Sequence, residues 1–273
     1  YLVFYIKKKS KSTYRKKPYK KNFFIFGTMF GFGFYLSGIH WIMNALTFEE
    51  NFKFLIPLGL IFIPLFLSLF FSLTILIIGP ILKDNLNSIF LLSSGLALSD
   101  FIRAKIFTGF PWNLWAYSFS SNIEIIQILN IFGLYAFNLI SITIFMLPAV
   151  FFFKIKNSKK FTFLCIVPLF FLISYFYGSY SINQNKEFLN SVKDRFKIKV
   201  ISPNFKLEYG LSKMEIKDRL NKLIRYSEPS HYDSNTLFIW PEGVFSGYSF
   251  DEIKYLKIDF INNFKNKNII LFG

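Results

Sequence analysis

Five apolar runs dominate the first two thirds of this chain, and each is long enough to cross a lipid bilayer. They cover residues 23–46, 54–82, 89–107, 123–153 and 161–180, with short polar segments between them. About 20 consecutive apolar residues span a membrane's hydrocarbon core, and a helix satisfies its own backbone there. The opening stub Tyr1-Leu2-Val3-Phe4-Tyr5-Ile6 is too short to span and reads as the tail of a truncated helix. A polytopic α-helical membrane bundle is therefore expected over residues 1–180, with Pro57, Pro64 and Pro80 kinking or bounding the second run.

Charge placement orients that bundle. The formal net charge of +16 would suit a nucleic-acid binder. Yet the Lys residues cluster beside apolar runs and are not interleaved with aromatics on one soluble face, so nucleic acid is excluded as a partner. Lys7 to Lys21 form one basic loop, and Lys154, Lys156, Lys159 and Lys160 form another. Both fall on the same side when the runs alternate across the membrane, and the positive-inside rule makes that side cytoplasmic. Residues from 181 onward then lie outside. Cys165, the one cysteine, sits within an apolar run, so it allows no internal disulfide and no Cys-based metal site. It reads as a small apolar filler.

From residue 181 to 273 the pattern changes to a layered α/β domain. Strands are expected at 196–201, 236–240 and 268–272, and helices at 211–226 and 251–264. The first of these helices repeats apolar residues at Leu211, Met214, Leu220, Leu223 and Ile224. Three strands and two helices are few for such a layer, so an incomplete domain is expected.

Two constellations could carry chemistry. The run Leu237-Phe238-Ile239-Trp240-Pro241-Glu242-Gly243 delivers a carboxylate to the tip of an apolar strand, after a Pro that cannot extend the ladder. Glu242 so placed is either a rigidly held general base or a solvated acid opening a loop. Gly109-Phe110-Pro111-Trp112, with Tyr117 five residues later, falls at the outer end of a crossing. Its aromatics are either substrate contacts or interfacial anchors. Asp100, Arg103, Lys105, His40, Trp41 and Gln127 read as packing or interfacial residues, and His231 receives no role. No Gly-rich phosphate loop and no metal-ligand spacing occurs, so neither cofactor nor metal is expected.

Together these motifs resemble one family, the bacterial apolipoprotein N-acyltransferases, in which a membrane bundle is fused to an extracytoplasmic nitrilase-like domain. The resemblance rests on Gly109-Phe110-Pro111-Trp112 with Tyr117, the segment Gln127 to Gly133, Ser202-Pro203-Asn204 and Trp240-Pro241-Glu242. Their order and approximate spacing match over nearly the whole chain. Ser202 departs from the Gln common at its position, and Tyr209 stands where the family often has Trp.

The resemblance implies an αββα nitrilase-like sandwich after the bundle and a Glu-Lys-Cys triad. Glu242 matches the Glu, and Trp112 and Tyr209 are expected to contact substrate. The Lys and Cys have no counterpart here, since Lys254 and Lys257 lie too near Glu242 and Cys165 lies in the wrong domain. The implied partners are a phospholipid acyl donor, a diacylated apolipoprotein acceptor and membrane lipids. A monomer in the bacterial inner membrane is expected. Two other readings stand beside this one: a membrane-tethered nitrilase-like amidase, and a non-enzymatic transporter or scaffold with an outer domain.

Overall fold

The computed structural model describes residues 3, 5–6, 19–83, 85–106, 109–153, 156–191, 197–206, 208, 210–229, 235–249, 251–265 and 267–272. The chain divides into two compact units, Tyr1–Glu187 and Phe188–Gly273.

The first unit is helical. Its elements are α1 (Tyr19–Ile39), α2 (Ile56–Ile78), α3 (Leu86–Arg103), the single turn α4 (Ile123–Ile126), α5 (Leu129–Met146) and α6 (Asn157–Ser191). Among the described residues, four stretches are long and apolar enough to cross a membrane: Lys20–Thr47, Glu50–Ile78, Leu129–Phe152 and Lys160–Ser191. Pro57 opens α2, where its missing N–H is harmless, Pro64 sits inside it, and Pro80 follows its end. Most of the basic loop at 7–21 lies outside the described residues.

Three expectations change here. The third crossing, expected at 89–107, is an 18-residue helix that stops at Arg103 and falls outside the group of four. Its polar residues turn inward: Ser99 donates to the Phe70 carbonyl at 3.1 Å, and Ser93 contacts the Met146 sulfur at 3.4 Å. The segment from Gln127 to Gly133 is not one helix: Gln127 and Ile128 form a turn between α4 and α5, and Gly133, at φ +73°, interrupts α5. The last crossing passes residue 180 without interruption and ends at Ser191.

Close packing of α1 on α2 follows from small residues. Gly27 and Gly31 of α1 face Ser72 and Ser68 of α2, where an added Cβ would overlap the partner backbone. Thr28 and Ser72 hydroxyls share a 2.8 Å hydrogen bond across this seam. Small residues permit this approach in lipid, where apolar burial between helices gains little.

The second unit contains β1 (Lys197–Val200), α7 (Lys213–Ser227), β2 (Thr236–Ile239), α8 (Lys257–Asn263) and β3 (Ile269–Leu271). The strands are parallel in the order β1-β2-β3. Consecutive right-handed crossovers that proceed in one direction place both connecting helices on the same face. Accordingly Phe238, Ile216, Leu220, Leu223 and Leu256 form one buried core. The register sets Ile198, Val200, Leu237, Ile239, Ile269 and Leu271 on the opposite face. That face is wholly apolar, and Ile198, Val200, Ile269 and Leu271 are exposed.

Candidate functional site

The Phe110–Trp112 turn is tied down by buried polar groups of the bundle. Gly109 enters it at φ +83°, where a Cβ would also press on the Ala104 carbonyl. Arg103, at the end of α3 and 1% exposed, donates from Nη1 to the Phe110 carbonyl (2.6 Å) and the Trp112 carbonyl (2.8 Å). The carbonyl between them, that of Pro111, accepts from the Tyr117 hydroxyl at 3.2 Å. Three consecutive carbonyls are therefore satisfied from within the protein.

The Arg103 charge is compensated in place. Its Nη2 donates to Asp100 Oδ1 at 3.0 Å, and Asn138 Nδ2 of α5 donates to Asp100 Oδ2 at 2.9 Å. The Asn138 Oδ1 accepts from the Ala116 backbone N–H at 3.1 Å, which ties the residues after the turn into the same network. The guanidinium also lies 5.3 Å from the Tyr35 ring centroid and 5.8 Å from that of Phe110. Such a pair costs several kcal/mol per ion to desolvate, and the bonds at Nη1 and Nη2 offset that cost, whereas the buried Nε has no hydrogen-bond partner among the described residues.

On its outer side the turn meets α1 and the residues after it. Asn113 donates to the Phe34 carbonyl at 3.3 Å, and its amide packs where a Cβ at Gly38 would fall. The Trp112 and Trp41 rings meet edge to face at 5.7 Å, each about half exposed (51% and 46%). Trp41 is itself fixed by a hydrogen bond from Nε1 to the Gly38 carbonyl at 3.1 Å.

In the second unit, Glu242 follows β2 on the carboxyl edge of the parallel sheet, the edge where α/β sheets present ligands. Trp240 and Phe245 bracket it and are buried, at 3% and 5% exposure. The Trp240 indole donates to Ser227 Oγ at 3.0 Å, and its backbone N–H pairs with the Leu271 carbonyl at 2.9 Å. Glu242 itself is exposed and has no hydrogen bond or ion pair among the described residues. Ser202, Pro203 and Asn204 leave β1 at the same edge, with Asn204 at φ +51°. The loop they start is anchored by Arg219, which donates to the Lys206 carbonyl (3.0 Å) and to Glu208 (3.1 Å).

Of the expected site residues, Trp112 and Glu242 stand in different units, and Tyr209 lies outside the described residues, as does His231. His40 contacts the Ser37 carbonyl and Gln127 donates to the Ile123 carbonyl, both local helix bonds. Cys165 is exposed on α6. The role of Asn138 went unread in the sequence. Its signal was an amide inside the apolar run from Leu134 to Met146, since polar groups at membrane depth seek partners.

Comparison with known proteins decides the family. Residues 10–147, just over half of the chain, match the model of the apolipoprotein N-acyltransferase N-terminal domain. This chain belongs to the apolipoprotein N-acyltransferase family. Proteins of that name are similar to it: one from Brucella suis biovar 1 is 35% identical over 125 residues, 45% of this chain and 24% of its own length. One from Rhodopseudomonas palustris is 24% identical over 227 residues (80% and 42%). One from Rickettsia typhi is 28% identical over 248 residues (90% and 48%). The chain thus spans between a quarter and a half of the length of these curated relatives. The family match takes in Asp100, Arg103, the Phe110–Trp112 turn and Asn138, whereas Glu242 lies beyond it.

Proposed function

We propose that the chain supplies the membrane bundle and the general base of an enzyme that moves an acyl chain from a phospholipid to an apolipoprotein. The acceptor is the α-amino group of an N-terminal diacylglyceryl-cysteine. The observation that carries this reading is Glu242, an exposed carboxylate at the carboxyl edge of a parallel sheet and unpaired among the described residues, in a chain whose bundle belongs to the family.

In the proposed reaction Glu242 accepts the proton of a Cys thiol contributed from outside this chain. The thiolate attacks the phospholipid ester carbonyl, and a Lys, also outside this chain, stabilises the oxyanion. Collapse expels the lysophospholipid alkoxide, which takes a proton back from Glu242 and leaves a thioester. The acceptor amine then attacks the thioester, the C–S bond breaks as the amide forms, and the amine's proton passes through Glu242 to the thiolate and restores the Cys thiol. Exposure suits Glu242 to this, since a proton must pass between two successive substrates.

The bare apolar face of the β-sheet supports a nitrilase-like αββα sandwich. Helices cover one face, and six apolar side chains on the other are suited to pack against a second sheet. Membrane orientation follows if α3 is a fifth crossing, because 18 residues rise about 27 Å, close to a hydrocarbon core's thickness. Five crossings from a cytoplasmic basic loop place the second unit on the periplasmic side of the inner membrane. Trp112 and Tyr209 would then contact lipid substrate, and the protein would act as a monomer without cofactor.

The test uses the full-length enzyme. Glu242→Gln keeps the size and removes the basic site, so acyl-enzyme formation from radiolabelled phospholipid should slow by about 10²–10⁴-fold. Wild-type rates in Glu242→Gln would end the general-base assignment. For orientation, single cysteines at Ser10 and Asn190 in a Cys165→Ala background are exposed to impermeant maleimide on intact cells. Asn190 should label and Ser10 should not. If α3 does not cross, four crossings would keep Asn190 inside and unlabelled.

A further inference from the structure

The buried triad Asp100–Arg103–Asn138 does more than fill the bundle. An ion pair between α3 residues needs only each other, yet here each partner spends its second arm elsewhere. The Nη1 of Arg103 divides between two carbonyls of the Phe110–Trp112 turn, at 2.6 and 2.8 Å, while Asp100 is held from α5 by Asn138 at 2.9 Å. Asn138 in turn receives the Ala116 N–H, four residues past Trp112. The turn is thereby gripped at its start, at its end and behind, by groups on two helices.

From this geometry we infer that Arg103 is a positioning residue that sets where Trp112 stands, with Asp100 and Asn138 as its supports. Its effect on acyl transfer rests on the function proposed above, and its grip on the turn does not. The outward face of the same turn presents the half-exposed Trp112–Trp41 pair at the end of the bundle. The guanidinium serves the two carbonyls from Nη1 and Asp100 from Nη2, and a single ammonium nitrogen on a shorter reach cannot span both sides. Arg103, Asp100 and Asn138 are themselves buried, so loss of Nη1 frees both carbonyls together with no side chain behind them to take its place.

The experiment separates grip from fold and from catalysis. Two variants of the full-length protein are made: Arg103→Lys, which keeps the charge beside Asp100, and Asp100→Asn with Arg103→Gln, which removes both charges together. Retention of the detergent-solubilised monomer peak shows that each folds. Hydrogen exchange over residues 110–117 should accelerate about tenfold or more in both, with exchange in α1 and α2 unchanged. A displacement of about 1 Å at a positioning contact costs up to 10²-fold. The phospholipid KM should therefore rise or kcat/KM fall by 10- to 100-fold, while the pH profile set by the general base keeps its shape.

Unchanged exchange over 110–117 in both folded variants would overturn the grip. Faster exchange with wild-type transfer would overturn its functional consequence and leave Arg103 a structural residue. If the wild-type protein transfers no acyl group, the function proposed above fails, and the exchange measurement still decides the grip. Should Arg103→Lys fail to fold, the doubly neutral variant answers the same question.

Discussion

The Phe110–Trp112 turn and the Glu242 tip are held by opposite kinds of support. Buried Arg103 grips the turn through the Phe110 and Trp112 carbonyls, and the more exposed Tyr117 hydroxyl holds the one between them. Glu242 stands at the end of an apolar strand, between two buried aromatics, with no polar partner among the described residues. The first arrangement fails when one hydrogen-bonding group is lost, because lipid and protein offer no replacement. The second fails when volume is lost, because packing of the core behind β2 is what fixes the carboxylate's origin. Substitutions of each kind, made in both units of the full-length protein, can break that contrast.

The largest effect is expected from Asp100→Ala. It leaves the Arg103 charge buried and uncompensated, which typically costs 3–5 kcal/mol. Thermal unfolding in detergent should register a loss of that order, and pairing the change with Arg103→Gln should recover part of it. A loss under about 1 kcal/mol, the level of an exposed pair such as Lys53–Glu50, would show that solvent reaches the network.

Volume governs the second unit. Leu220 is fully buried beneath the sheet, and Leu220→Ala should cost about 2–5 kcal/mol, read as faster exchange across β2. Its polar counterpart is Ser227→Ala, which strands the Trp240 indole N–H at a cost of about 1–3 kcal/mol. If Ser227→Ala proves the more damaging, Glu242 is also held by hydrogen bonding and the contrast collapses.

Gly27→Ala tests the bundle's dependence on shape. A methyl there meets the Ser72 backbone, and overpacking of this kind costs about 1–3 kcal/mol. Unfolding midpoints should fall for Gly27→Ala and stay level for Gly33→Ala, where nothing lies within 4 Å. Equal shifts would mean that helix propensity, and not contact across the seam, sets the result.

Much of this was legible in the sequence wherever one local rule decided the outcome. Apolar length picked out the four spanning stretches, and of the spaced residues Leu211, Met214, Leu220, Leu223 and Ile224 all but the exposed Met214 pack in the core at α7. Trp240-Pro241-Glu242 was legible as a strand end because Pro cannot extend a ladder. The helix expected at 251–264 begins as α8 only at Lys257. Before it come a 3₁₀ turn, Lys254–Leu256, and a turn in which Ser249 N–H and Oγ bond Glu252, a local competitor that an apolar pattern does not reveal. The turn's grip was illegible for another reason. Trp41 and Trp112, or Asp100 and Asn138, meet only through the packing of separate helices, and no spacing along the chain encodes that. The early end of α3 shares this cause, since Arg103 is drawn to the carbonyls of the turn that follows it.

The smallest effect, and the one that sets a baseline for polar contacts in water, is the N-cap of α7. Ser212 Oγ accepts from the Glu215 N–H at 3.3 Å, and Glu215 accepts from the Ser212 N–H (2.8 Å) and Oγ (2.7 Å). Those two donors, the backbone first, hold the Glu215 carboxyl below the usual carboxylate range. A carboxyl lowered in the folded state stabilises fully above its unfolded value and loses that contribution as pH falls through the folded one. Amide protection factors across α7 should therefore hold level from neutral pH to the usual carboxylate range and decline only below it. Glu215→Gln keeps a side-chain acceptor for the capping box and removes the titration, so its protection should stay flat over the same interval. Ser212→Ala, in contrast, should lower protection at every pH by about 1 kcal/mol, the ordinary worth of such a cap. An acid decline of the same size in Glu215→Gln would trace the loss to another group. It would leave the exposed cap without measurable weight beside the buried grip of Arg103.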